Sequence, residues 1–164
     1  MTLSEFSSCV NRFRRGACPG RNLYLYCGRS DTLLNAIGNE SVHQISVFDL
    51  PGVDVKTSVD EIRQMLVAGL NQWFTALNTN SPRCSIAVLH DLALFAAYNL
   101  GIDSVYARHA SDRRMTVFCA PRSPVPPTDL LPLFDYEPLL IQRYFRQLVS
   151  PDYIVEDFNG TVRY

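Results

Sequence analysis

Two turns in this 164-residue chain carry the residue types that chemistry would need. The first lies in NLYLYCGRSDTLLNAIGN, residues 22–39, where an apolar strand ends at Gly28 and a helix follows at once. The free N–H groups of a helix start attract anions, so Gly28, Arg29, Ser30 and Thr32 are candidates for holding a phosphate. Asp31 sits among them and sets a negative charge where that phosphate would lie, and the alternative role for Ser30 and Asp31 is to cap the helix. The second turn is Leu89-His90-Asp91, at the end of another apolar run. Asp91 there is either a ligand-facing carboxylate or the N-cap of a helix that starts at Leu92. Arg113, Arg114 and Arg122 are further candidates for contact with a phosphate or a partner's carboxylate; a solvated turn is the other reading of the paired arginines.

The elements that must position these residues follow from periodicity. Thr2-x-x-Glu5 is a capping box, and Leu3, Phe6, Val10 and Phe13 recur at helical spacing up to Arg14 and Arg15. Asn22–Cys27 is a strand, a short helix runs through Ile37, and His43–Phe48 is a second strand. Ser58-x-x-Glu61 is a second capping box, with Val59, Ile62, Leu66, Leu70, Trp73 and Leu77 on one stripe of the longest helix. Cys84–Leu89 has the continuous apolar character of a central parallel strand. Helical segments around Leu92–Tyr98 and Asp103–His109 divide at Gly101, and Met115–Ala120 is the fourth strand. PRSPVPPTDLLPLFDYEP holds six of the ten prolines, five of them from Pro124 to Pro138, and reads as an irregular excursion, either a rigid connector or a contact surface. Leu139–Val149 is an amphipathic helix, Tyr153–Phe158 a fifth strand, and Asn159-Gly160 signals a terminal hairpin.

Strands alternating with helices predict a single α/β domain over residues 1–164, a three-layer sandwich around a mostly parallel five-stranded sheet with a C-terminal β-hairpin. Ligands of such sheets bind beyond the carboxyl ends of the strands, which selects Gly28–Thr32, Asp49–Asp54, His90–Asp91 and Pro121–Ser123.

Composition narrows the function classes. Apolar residues make up 47% of the chain and the formal net charge is −1, so one core is expected and the electrostatic footprint of an autonomous DNA binder is missing, despite Arg12, Arg14, Arg15 and Arg21 near the N-terminus. No run of eighteen apolar residues and no cleavable apolar leader is present, which predicts a cytoplasmic protein without a membrane anchor. Cys9, Cys18, Cys27, Cys84 and Cys119 are odd in number and form no C-x-x-C pair, consistent with reduced thiols of which Cys27, Cys84 and Cys119 are core residues. His43, His90 and His109 are far apart, so no local metal motif exists. Lys56 is the only lysine; the other basic residues are arginine.

A helix before the first strand, a glycine turn after it, an apolar third strand ending in an acidic residue, and arginines before the fourth strand together resemble the element order of P-loop NTPases of the AAA+ and RecA kind. The run IAVLHDLALFAAYNLGIDSVYARHASDRRMTVFCAP is similar to part of the small P-loop protein of BREX phage-exclusion systems. That resemblance implies ATP and magnesium at Gly28, Arg29, Ser30, Thr32 and Asp91. The phosphate motif G-x-x-x-x-G-K-[ST] is broken, however: after Gly28 no second glycine comes before Gly38, and no lysine stands in or near the turn. The expectation is therefore a non-catalytic interaction subunit, without cofactor, inside a larger prokaryotic assembly that handles DNA or resists phage. Its alternative is a divergent nucleotide-binding switch or ATPase. A third class, an enzyme using His90, Asp91 and a cysteine, requires those groups to converge in space.

Overall fold

The computed structural model describes residues 1–17, 22–50, 58–80, 84–100, 106, 108–120 and 138–157. Its helices are α1 (Leu3–Arg14), α2 (Ser30–Ile37), α3 (Val59–Asn80), α4 (Ala93–Ala97) and α5 (Pro138–Leu148); its strands are β1 (Leu23–Cys27), β2 (Val42–Ser46), β3 (Ser85–His90), β4 (Arg114–Ala120) and β5 (Ile154–Glu156). The five strands form one parallel sheet in the order β2-β3-β4-β1-β5. The α/β three-layer sandwich expected from the sequence is what the chain forms. The proposed hairpin at Asn159-Gly160, most of the proline-rich segment with Arg122, most of Asp103–His109, and Cys18 lie outside the described residues.

Alternation within each strand divides the core between the two faces of the sheet. Tyr24 and Tyr26 of β1, with Ile86, Val88, Met115 and Val117, pack against Phe6, Val10 and Phe13 of α1 and Leu33 and Ile37 of α2. Leu25 and Cys27, with Ala87, Leu89 and Phe118, face Ile62, Leu66, Leu70, Phe74 and Leu77 of α3, and Phe145 of α5. Ser85–Leu89 of β3 is buried throughout, which is why that segment reads as a continuous apolar run, and every residue of β4 is buried as well, Arg114 and Thr116 included.

Both capping boxes form. The Thr2 hydroxyl accepts from the Glu5 N–H at 3.2 Å while Glu5 accepts from the Thr2 N–H at 2.7 Å, and Ser58 and Glu61 do the same. Arg14, one of the basic residues near the N-terminus, is not offered to an anion. Its guanidinium donates to the carbonyls of Ile37, Gly38 and Glu40, closing the C-terminal end of α2.

Several expectations shift. The buried stripe of α3 runs through Phe74 rather than Trp73, which is only partly buried at the core's edge, and Val59 in the first turn is 53% exposed. Strand β2 ends at Ser46, because Val47–Asp49 turns into a 3-10 helix capped by the Ser46 hydroxyl. Cys27 and Cys119 are buried, whereas Cys84 is partly exposed and precedes β3 with a left-handed backbone (φ 67°). Among the described residues no helix is long and apolar enough to cross a membrane.

Leu66 is fully buried between α3 and the sheet. Leu66→Ala is expected to lower unfolding free energy by about 2 to 5 kcal/mol, read from a urea unfolding midpoint; a loss below half a kilocalorie would contradict this packing.

Candidate functional site

The chain's crossovers reverse direction once. It leaves β1 across β4 and β3 to reach β2, and every later crossover runs the opposite way. Right-handed crossovers therefore send α2 to one face and the helices after β3 and β4 to the other, which places a crevice beyond the paired carboxyl ends of β1 and β4. A cleft of about 350 Å³ lies there, lined by Gly28, Arg29, Ser30, Asp31, His90, Asp91 and Cys119. Four of the five predicted nucleotide-site residues thus meet at one place: Gly28, Arg29, Ser30 and Asp91. Thr32, the fifth, stands one residue further along α2.

The turn between β1 and α2 consists of Gly28 and Arg29 alone. Gly28 is required by a close approach: a Cβ here would come within 2.5 Å of the ring and hydroxyl of Tyr26, which is fully buried beneath it. Its N–H donates to the Ala120 carbonyl at 3.0 Å and its carbonyl accepts from the Cys119 thiol at 3.5 Å. A phosphate loop instead needs several successive residues whose N–H groups converge on the ligand. This turn has two, and the first N–H belongs to the sheet.

The start of α2 corrects the expected cap. Arg29 occupies the N-cap position without a side-chain capping hydrogen bond to the helix backbone, and Ser30 and Asp31 lie within the first turn. Asp31 Oδ1 accepts the Thr32 N–H at 2.9 Å and Arg29 Nε at 3.1 Å, while Oδ2 accepts Arg29 Nη2 at 2.6 Å. The positive end of the helix is answered by the chain's own carboxylate. The Arg29 guanidinium beside it, helped by the Thr32 N–H, holds the Asp31 carboxyl below the usual range.

Across the crevice, Asp91 adopts a left-handed backbone (φ 57°), a conformation that aspartate tolerates better than most residues. Helix α4 begins at Ala93, and the Asp91 carboxylate does not cap it. Instead Oδ2 accepts from Ser46 Oγ at 2.7 Å and meets His90 Nδ1 at 2.8 Å. These contacts, the one from His90 foremost, lower the Asp91 pKa against the opposing effect of burial. Ser46 was missed in the sequence; only the pairing of Ser46 with His90 in the β2–β3 ladder brings it here. The connectivity is not that of a nucleophilic triad, because the carboxylate accepts from both the serine and the histidine, and no hydrogen bond joins the hydroxyl to the imidazole.

His90, Asp91 and Cys119 do converge, as the third functional class requires. Cys119 is 2% exposed, donates to Gly28, and has its pKa raised far above the ordinary thiol value by burial. It is held as a neutral thiol, which is a poor nucleophile. Among the described residues no cluster of three or more His, Cys, Asp or Glu is placed to hold a metal ion.

Arg113 and Arg114 lie at the opposite, amino end of the sheet. Arg113 is exposed, and Arg114 opens β4 with only 3% exposure. Arg114 donates to Asn78 Oδ1 at 2.6 Å and to the His109 carbonyl, and its guanidinium lies 4.8 Å from the centre of the Phe74 ring. Arg114 is thus neither in a solvated turn nor presented to a phosphate; it is a core cation held by neutral acceptors. His109 stacks on Phe74, with Nε2 2.9 Å from Asn71 Oδ1.

Compared with known proteins, the chain matches no family model and is significantly similar to no curated protein.

Two outcomes follow. Gly28→Ala forces the Tyr26 ring aside in a packed core and is expected to cost about 1 to 3 kcal/mol in urea unfolding, whereas a neutral result would mean the turn relaxes freely. Acid sensitivity has two stages. Burial lowers the pKa of His109 below its ordinary 6.5, so stability is complete above that value and declines as pH falls through it. Asp91 and Asp31, lowered from 3.8, add a second decline below about 4 as their carboxylates protonate. Denaturation midpoints measured from neutral pH downward should show both, with Asp91→Asn shrinking the second.

Proposed function

We propose that the chain is a non-catalytic protein-interaction subunit built on a degenerate P-loop-like core. The observation that carries this reading is the closure of the crevice at α2, where Asp31 binds Arg29 and the Thr32 N–H. A triphosphate would need that N–H and that guanidinium, and would meet the Asp31 carboxylate in their place. The two-residue turn and the engaged N–H of Gly28 support the same reading. The similarity of residues 86–121 to the small P-loop protein of phage-exclusion systems points to a cytoplasmic, prokaryotic assembly that handles DNA as the setting. In that setting the chain contributes contacts to other proteins rather than binding nucleic acid alone.

A nucleotide-binding switch is the second reading, and one observation favours it: Asp91, held ionised at the end of β3, faces the same crevice as Arg29. In the P-loop proteins that this chain resembles, an acidic residue near this point holds magnesium. Such a switch requires Arg29 to leave Asp31 for the phosphates.

Titration calorimetry of the full chain with ATP and magnesium, alongside a phosphate-release assay, separates the two. The interaction subunit gives no binding heat and no turnover. Micromolar binding, or turnover abolished by Asp91→Asn, would replace it with the switch.

A further inference from the structure

We propose that the crevice at the carboxyl ends of β1, β3 and β4 receives a cationic side chain, lysine or arginine, from a protein partner. The inference rests on the interaction reading above and names the chemistry that the partner must present.

Charge is the first ground. Arg29 and Asp31 neutralise one another at the rim, which leaves Asp91 as the carboxylate of the described lining that no arginine answers. The charges of Asp91 and Asp31 are felt at the floor, where, after burial, they help to push the Cys119 thiol up. A helix start at a topological switch point ordinarily suits an anion. Here the internal carboxylates reverse the preference.

Hydrogen-bonding capacity is the second. Both contacts of the Asp91 carboxylate fall on Oδ2, from Ser46 at 2.7 Å and His90 at 2.8 Å, which fixes its orientation and leaves Oδ1 able to accept. The carboxylate has no proton to give, so His90 Nδ1 is the donor in that contact. Acceptors call for a group with donors only, which describes an ammonium or a guanidinium and excludes a phosphate. Asp91 is 31% exposed, open enough to be reached and sheltered enough to be screened less than a surface carboxylate. Because Oδ2 is already shared by two donors, the entering cation contacts Oδ1 end-on, a geometry open to lysine as well as arginine.

The test is an NMR titration of the isotopically labelled full chain with N-acetyl-argininamide and N-acetyl-lysinamide, and separately with inorganic pyrophosphate. The cations are expected to shift the amide signals of Gly28, Asp31 and Asp91 saturably, and pyrophosphate to leave them in place. Asp91→Asn should weaken the cation response about tenfold, since it removes the charge and keeps the shape. Arg29→Ala should strengthen it severalfold by releasing Asp31; Arg29 is 79% exposed, so this variant keeps its fold. Absence of a saturable cation response, equal binding by the Asp91→Asn protein, or weaker binding after Arg29→Ala would each overturn the proposal. If the cations fail while ATP also gives no heat, only this inference falls. If pyrophosphate moves the three signals, the interaction reading falls with it.

Discussion

Parallel strands can be joined only by crossovers, and crossovers turn right-handed, so the direction in which the chain leaves each strand decides which face its helix covers. In the order β2-β3-β4-β1-β5 that direction reverses once, after β1. All that concerns the crevice depends on this reversal. It sends α2 toward the face of Tyr24 and Tyr26 and the later helices toward the face of Leu25 and Cys27, with the carboxyl ends of β1 and β4 between them. Gly28 then has to pass directly over the Tyr26 ring, which leaves no room for a side chain. A two-residue turn suffices because α2 starts immediately above the strand that feeds it.

The two ends of the sheet treat buried polar groups differently. At the amino end, Arg114 is embedded among Asn78, the His109 carbonyl and the Phe74 ring, without an ion pair to a carboxylate among the described residues. Desolvation lowers its pKa, and neutral acceptors with an aromatic face carry the compensation. At the carboxyl end, charges answer charges: Arg29 with Asp31 at the mouth of the crevice, and Arg146 of α5 with Glu156 at the end of β5. Arg146 also reaches the Cys27 sulfur, tying α5 to the end of β1. The first arrangement stiffens the core. The second leaves polar groups near solvent, where a partner can compete for them.

The crevice combines a helix start that would favour an anion with carboxylates that repel one. Asp31 takes the Thr32 N–H and the Arg29 guanidinium together, so the helix dipole and the nearest cation are both satisfied within four residues of chain. Across the gap, Ser46 and His90 orient the Asp91 carboxylate without activating a nucleophile, and Cys119 beneath them stays protonated. The groups that chemistry would use are present, but their hydrogen bonds are directed into the fold.

Local features were legible because local physics fixes them. Thr2 with Glu5 and Ser58 with Glu61 announce helix starts through hydrogen bonds spanning three residues, and the unbroken apolar run of β3 announces burial on both faces. The glycine turn, the alternation of strands and helices, and the lack of a G-x-x-x-x-G-K-[ST] pattern at that turn could all be read in the same way. The exchange of Trp73 for Phe74 on the buried stripe, the burial of Arg114 and the arrival of Ser46 beside Asp91 could not. Each depends on which strands become neighbours and in what register, and that is settled by contacts between residues distant in the chain. The sequence by itself determined that an α/β domain would form and that its first turn lacks a phosphate loop, since both rest on residue types at short spacing. Only the tertiary structure decided that Asp31 closes the start of α2 and that Asp91 turns to Ser46 and His90, because a carboxylate chooses among competing donors by geometry that exists only once the sheet is assembled.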